Sequence, residues 1–354
     1  MYRLSWLVLD RGVSPQLCTM CGRGACTMPP RRCVRVAGAR SFRSTGRYRA
    51  KCNLTPQSWV PVVVSNPACQ QREVRTMRWG LVPSYAKAED EFGPFGGGNR
   101  PSTFNARVET VGQSNMWRRL VDQRRCLVLF DGFYEWKSQD GKKKTPMFIR
   151  HKPDIKENPI PGGCSDIELE KALQEAECQV NMSEHPAQTA NHFGAGLEEG
   201  GMPLLLAGLY DAWSPPDGGD ALETVSILTM DPMGTPMEYV HDRMPVFLSE
   251  ETAPAWLTAS AESTFESFLP SVLKEARRVA TERLQIYEVS DLVGNIRNDT
   301  AECLAPRQEV AKRQFENGLG RFFAKKAKTE ATVASQDEPT STNDGEVKLP
   351  IAKK

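Results

Sequence analysis

Seven short runs rich in β-branched and apolar residues punctuate this chain of 354 residues, most of them bounded by Gly, Pro, Asp or Asn. They lie at 60–64 (VPVVV), 126–130 (CLVLF), 146–150, 204–210, 225–229, 245–248 and 286–289. Strands this short bury their apolar faces only by pairing into sheets, and the turns between them favour antiparallel neighbours. Helical periodicity is clearest over 264–279, where Phe265, Phe268, Leu269 and Val272 recur at intervals of three and four, although Pro270 weakens the early turns. Ser263 with Glu266 forms a capping-box pattern for that helix. A second helix is expected from an N-cap at Ser249, with Glu250 and Glu251 in its first turn. The fold class that follows is α+β, a single domain on mainly antiparallel β-sheets with few helices.

Charge is distributed unevenly enough to matter. The 45 Lys and Arg against 44 Asp and Glu give only +1, yet residues 1–151 hold 26 basic and 10 acidic side chains, a net of +16. Residues 152–200 hold 3 and 10, and residues 201–354 hold 16 and 24. A basic first part predicts a groove that faces phosphate. Residues 152–200, acidic and rich in Gly, Pro, Gln, Glu and Asn, read as a poorly ordered insertion, and the segment from about 326 to 354 reads as a disordered tail. The domain spans 21–325 and is interrupted by that insertion. Residues 1–20 match no targeting signal and are expected to be absent from the mature protein.

With 40% hydrophobic residues the chain can bury a core, and no apolar run approaches the roughly 18 residues that span a bilayer. No membrane association is expected. The ten cysteines then read as reduced, in a nuclear protein that is also compatible with the cytoplasm. Cys18 and Cys21 form a CxxC, but no second knuckle or His pair follows, so neither a metal nor any other cofactor is expected.

Five local patterns carry chemistry. They are Met20-Cys21-Gly22-Arg23, Met77-Arg78-Trp79-Gly80-Leu81-Val82-Pro83-Ser84, Asn105-Ala106-Arg107-Val108-Glu109, Asp131-Gly132-Phe133-Tyr134-Glu135-Trp136, and His241-Asp242-Arg243-Met244-Pro245. In this order they resemble the SRAP family, whose members process abasic sites. The resemblance runs from Cys21 to Pro306 and takes in Asn53 and Pro56. It implies that an N-terminal cysteine cross-links to abasic sites in single-stranded DNA and shields the lesion. It also implies thiol autoproteolytic activity and a possible lyase activity.

A 1,2-aminothiol suits that task. An abasic site opens to an aldehyde, an α-amine with a pKa near 8 forms a Schiff base with it, and the neighbouring thiol closes a thiazolidine. Here Cys21 follows 20 residues, so its nitrogen is a peptide amide as the chain is written. Either translation starts at Met20, which is then removed, or the Met20–Cys21 bond is cleaved. An isolated cysteine can equally be a small buried hydrophobe.

Glu135, flanked by Tyr134 and Trp136, suits proton transfer if poorly solvated; a surface Glu on an amphipathic strand is the plainer alternative. The resemblance assigns it general acid/base work. His241 can protonate a sugar ring oxygen or a leaving group, or can be structural. Asn105 can hydrogen-bond the amine or the opened sugar, and Arg107, Arg23 and Arg78 are candidates for phosphates. Trp79 can stack a base or sit in the core, and Met77, Leu81 and Pro83 can form an apolar wedge or pack.

Beyond the core, Leu319, Phe322 and Phe323 follow Glu316 at a spacing that resembles a sliding-clamp-binding peptide, or they pack on their own domain. The partners expected are therefore single-stranded DNA with abasic sites and a sliding clamp, for a monomer. Two rival classes remain, a cysteine peptidase using Cys21, Glu135 and His241, and a non-covalent single-stranded DNA module.

Overall fold

The apolar runs find their partners in two sheets. The computed structural model describes residues 22–66, 71–89, 91, 102–139, 143–163, 170–172, 174, 201–258, 264–313 and 315. Along them run β1 (Gly24–Cys26), α1 (Pro30–Ala37), β2 (Phe42–Arg43), β3 (Lys51–Leu54), β4 (Trp59–Ser65) and β5 (Arg72–Trp79). β6 (Asn105–Arg107), α2 (Val108–Val111), β7 (Arg125–Phe130), β8 (Gly132–Gln139), β9 (Lys143–His151), β10 (Leu204–Trp213) and β11 (Leu222–Met230) follow. β12 (Met244–Pro245), β13 (Phe247–Leu248), α3 (Ala253–Leu257), α4 (Phe265–Glu282) and β14 (Leu284–Glu288) complete the set. Two compact units divide the chain, Met1–Pro306 and Arg307–Lys354. Of the second, the described residues 307–313 are helical.

The larger sheet has the order β12-β11-β10-β7-β4-β5-β2, with β13 on β10 and β6 on β11. A parallel pairing of β5 with β11, Arg78 opposite Thr224 and Trp79 opposite Val225, closes β11, β10, β7, β4 and β5 into a barrel. The second sheet, β14-β9-β8-β1-β3, is antiparallel throughout. The architecture is thus the mixed α+β arrangement expected, mostly antiparallel with few helices.

β7 explains its own composition. It is buried along its whole length, because one face lines the barrel interior and the other meets α3, whose Trp256 indole N–H donates to the Cys126 carbonyl at 2.8 Å. A strand covered on both faces reads as an unbroken apolar run rather than an alternation.

β5 was not among the seven runs, and its sequence REVRTMRW shows why. Arg72 at its start is buried, donating to the carbonyls of Ala37 at 3.1 Å and Ile160 at 2.7 Å and to that of Pro161. A guanidinium that satisfies backbone acceptors inside the fold hides the alternation that would mark the strand.

Two helix starts and one boundary differ from expectation. α4 is capped by Thr264, whose hydroxyl accepts from the Ser267 N–H, one residue later than a cap at Ser263 would place it. α3 begins only at Ala253, where Pro254 suits the first turn, and Glu250 is instead drawn into an ion pair with Arg283 at 2.8 Å. Residues 152–163 pack on the domain rather than forming the start of a loose insertion. Ile160 is buried with its N–H donating to the Val36 carbonyl, and Glu157 pairs with Arg32 and Arg35, each at 2.7 Å. Residues 1–21, 175–200 and the tail from 316, which includes Leu319, Phe322 and Phe323, lie outside the described residues.

Two buried bases generate predictions. Arg125 is 4% exposed between the rings of Trp256 and Phe268, at 5.4 and 6.0 Å, and burial lowers its pKa. None of its guanidinium nitrogens has a hydrogen-bond partner among the described residues. Removing a desolvated charge of this kind favours the folded state. Arg125→Met is therefore expected to raise stability by about 1–3 kcal/mol in urea unfolding, and a lower midpoint would count against this reading.

His151 is buried at the end of β9 with Nδ1 3.1 Å from the Met202 carbonyl oxygen, and burial, then the nearby Arg283 charge, pulls its imidazole from 6.5 down to about 4. Below pH 6.5 the unfolded chain takes up this proton before the folded chain does. Stability should fall between pH 6.5 and 4, by about 3 kcal/mol from this group. His151→Gln should flatten that part of the profile.

Candidate functional site

Two glycines make room for aromatic rings against the site's strands. β1 lies between β3 and β8, with Gly24 opposite Phe133 and Ala25 opposite Gly132. A Cβ on Gly24 would meet the Phe130 ring at 2.4 Å, and one on Gly132 would meet the Phe148 ring at 2.3 Å. Only a residue without a side chain fits against either ring. The Tyr134 N–H donates to the Arg23 carbonyl at 3.0 Å, which extends the pairing by one residue. Continued one step more, the register sets Gly22 abreast of Glu135. Cys21 is the next residue and lies outside the described residues.

Glu135 is 2% exposed on β8, not a surface carboxylate. His241 Nε2 stands 3.8 Å from its Oε2. That is beyond hydrogen-bond length but within the separation that unliganded catalytic pairs commonly show. On the other side of the ring, Nδ1 lies 2.9 Å from Asp242 Oδ1 and accepts from the Arg243 N–H at 3.2 Å. The first contact suits a protonated Nδ1 and the second a bare one.

Arg243 holds this arrangement in register. Its guanidinium donates to both carboxylate oxygens of Glu109, at 2.6 and 2.9 Å, and to the Thr229 carbonyl at 2.6 Å. Burial pushes the Glu109 carboxyl up, but the hydrogen bonds and charge of Arg243 outweigh it and hold the group below the usual carboxylate range. The planar fork thereby ties the His241–Pro245 segment to α2 and to the end of β11. Neither Arg243 nor Glu109 stands out as a clamp from the sequence, because nothing local shows that the two motifs meet.

Asn105 and Arg107 lie on β6, which pairs in parallel with β11 so that Asn105 faces Ile227 and Arg107 faces Thr229. Residues two apart share a strand face. Asn105 is buried, Arg107 is exposed, and Ala106 between them points into the core. Arg107 therefore adjoins the Thr229 backbone that Arg243 grips, and Asn105 pairs two residues earlier on β11.

Arg23 turns inward. It donates through Nε and Nη2 to Asn53 Oδ1, at 3.0 and 2.5 Å, and to the Val293 carbonyl, and it lies 5.5 Å over the Trp136 ring. Burial lowers its pKa. Asn53 in turn donates to the carbonyls of Val293, Asn295 and Asn298, at 3.2, 3.2 and 2.8 Å. Arg23 thereby braces the strand that leads to Cys21. Arg78 is paired with Glu89.

Trp79 is a correction. It is 1% exposed, its indole N–H donates to the Phe104 carbonyl at 3.0 Å, and its ring meets Phe104 and Phe130 edge-on. No face remains for a base, since β5 turns this side chain into the barrel. Met77, Leu81 and Pro83 are likewise buried and form no wedge. The exposed aromatic of this segment is Tyr85, 55% exposed, with the Arg119 guanidinium 5.5 Å from its ring centre.

Burial pushes the thiols of Cys26, Cys33, Cys52 and Cys126 up, away from the nucleophilic thiolate. Among the described residues no group of three or more His, Cys, Asp and Glu is placed to hold a metal ion.

Comparison with known proteins adds ancestry to this geometry. A family model described as SOS response associated peptidase (SRAP) matches residues 20–296. A Gallus gallus relative, abasic site processing protein HMCES, is 32% identical over 309 residues, covering 81% of this chain and 78% of its own. A Bacillus subtilis relative, abasic site processing protein YoqW, is 27% identical over 263 residues, covering 74% and 89% respectively. Among solved structures, a protein from Bacteroides thetaiotaomicron superimposes with a TM-score of 0.50 at 20% identity, covering 80% of this chain and all of its own.

The clamp yields its own prediction. Arg243→Lys loses the bidentate fork and should cost about 1–3 kcal/mol of stability in urea unfolding. Glu109→Gln combined with it should cost less than the sum of the two single changes, and strict additivity would show that the pair is not coupled.

Proposed function

The chain belongs to the SRAP family, and from that premise we propose that it processes abasic sites in DNA by covalent capture through Cys21. Its curated relatives carry the name abasic site processing protein. The observation that carries the reading is the Tyr134 N–H to Arg23 carbonyl hydrogen bond, which holds the chain two residues after Cys21 against the strand of a buried Glu135, with His241 3.8 Å from that carboxylate.

The chemistry balances without a cofactor. The Cys21 amine adds to the sugar aldehyde and water leaves, giving an imine. The thiol then adds across the C=N bond, its proton passing to nitrogen, and closes a thiazolidine. Glu135 takes the proton from the attacking amine and returns it to the departing hydroxyl, while His241 protonates the ring oxygen as the sugar opens. Asn105 orients the opened sugar by hydrogen bonds and Arg107 engages the adjoining phosphate. Base stacking, worth about 1–3 kcal/mol per base, passes from Trp79 to the exposed Tyr85. Single-stranded DNA suits this arrangement because an unpaired strand presents both the lesion and a neighbouring base. Cys21, Glu135 and His241 would also serve release of residues 1–20 by cleavage of the Met20–Cys21 bond, if translation does not start at Met20.

Protein beginning at Cys21, incubated with an abasic single-stranded oligonucleotide, should give an adduct that survives denaturing electrophoresis. Cys21→Ala should abolish it and Glu135→Gln should slow it by about 10²-fold or more. Full-length chain should form the adduct only after losing residues 1–20, read by N-terminal sequencing. An adduct formed equally by Cys21→Ala would sink the proposal.

A further inference from the structure

Among the described residues three aromatic side chains are well exposed, those of Tyr85, Tyr239 and Phe315, and one of them stands beside the site's histidine. Tyr239 is 79% exposed and closes the single turn Pro236–Tyr239, two residues before His241. The turn is held and the ring is not. Met237 is fully buried, and its carbonyl accepts from the N–H groups of Val240 and His241 at 2.9 and 3.0 Å. The Thr235 hydroxyl donates to the Pro232 carbonyl at 2.7 Å, and Arg277 donates to both carboxylate oxygens of Asp231 at 3.0 Å. Residues two apart on a helical turn face roughly opposite ways, so burying Met237 turns Tyr239 outward. His241, four beyond Met237, comes back to the inner side, with Nε2 3.8 Å from Glu135 Oε2.

A single exposed aromatic needs no explanation by itself. Its position supplies one. Two residues of chain place the Cα of Tyr239 at most about 7.6 Å from that of His241. Successive bases of a stacked strand stand about 3.4 Å apart, so a base one to three nucleotides from a lesion held at His241 and Glu135 comes within reach of the ring. Tyr85 serves a more distant part of the strand. The Ser84 N–H donates to Asp211, which pairs with Thr224 near the start of β11, whereas Arg243 grips Thr229, five residues or about 17 Å further along. Neighbouring charges decide which part of a nucleotide Tyr239 meets. Glu238 and Asp242, on either side of it, are exposed carboxylates that repel phosphate, which leaves the base as the group the ring takes.

We propose that Tyr239 stacks on an unpaired base within about three nucleotides of the lesion, so that a strand with a base there is preferred over one without. Resting on the abasic-site capture proposed above, this stack adds a specificity-determining residue to that site.

Binding read without cross-linking tests it. The full chain is titrated by fluorescence anisotropy into a single-stranded oligonucleotide bearing one tetrahydrofuran, an abasic analogue with no aldehyde. Tyr239→Ala should weaken binding by about five- to a hundredfold, and Tyr239→Phe should keep it. The dependence of affinity on salt should be the same in Tyr239→Ala as in the unchanged chain, because no phosphate contact is lost. Replacing the three bases on each side of the lesion one at a time by a second tetrahydrofuran should reveal one whose loss weakens the unchanged chain in like measure, and Tyr239→Ala should no longer respond to it. Thermal unfolding of each variant checks that the fold is kept. Binding that Tyr239→Ala leaves unchanged, or a weakened variant that responds to every base as the unchanged chain does, would overturn the stack alone. No binding by the unchanged chain would overturn the abasic-site reading and the stack with it.

Discussion

The candidate site rests on the pairing of β1 with β8, Gly24 opposite Phe133 and Ala25 opposite Gly132. The Phe130 ring covers Gly24 and the Phe148 ring covers Gly132, where a Cβ would meet ring atoms at 2.4 and 2.3 Å. The register decides which face of β1 each side chain takes. A slip of one residue would turn each side chain of β1 to the opposite face. The brace of Arg23, Asn53 and the 293–298 segment then holds the start of β1, with Arg23 over the Trp136 ring.

A second constraint joins motifs that lie more than a hundred residues apart. Arg243 spans Glu109 and Thr229 with one planar group, so α2, β11 and the turn carrying His241 share a single anchor. Proton-transfer groups work when they are held rather than flexible. The barrel supplies the frame, because β5 pairs with β11 and closes the sheet on itself.

Much of this was legible in the sequence, for reasons that differ by element. Each of the seven apolar runs falls on a strand or strand pair, since each buries at least one face. β5 escaped because a buried Arg72 breaks its pattern, and β1 because three residues beginning with Gly carry no periodicity. Glu135 and His241 were chosen by residue chemistry and by resemblance, and they lie 3.8 Å apart. Trp79 misled because a tryptophan beside arginines looks like a stacking platform until β5 turns it inward. The bond from Arg23 to Asn53 has no local signal either, since the two lie thirty residues apart. No local signal reveals Arg243 as a clamp, since its partners are set by topology alone.

The central claim is that the β1–β8 register delivers an N-terminal Cys21 to Glu135. A crystal structure of the chain beginning at Cys21, cross-linked to abasic single-stranded DNA, tests it most directly. The account predicts a five-membered ring in which the Cys21 nitrogen and Sγ are both bonded to the former aldehyde carbon, within hydrogen-bond reach of Glu135. DNA attached through any other residue, or a ring on Cys21 turned away from Glu135 and His241, would contradict it.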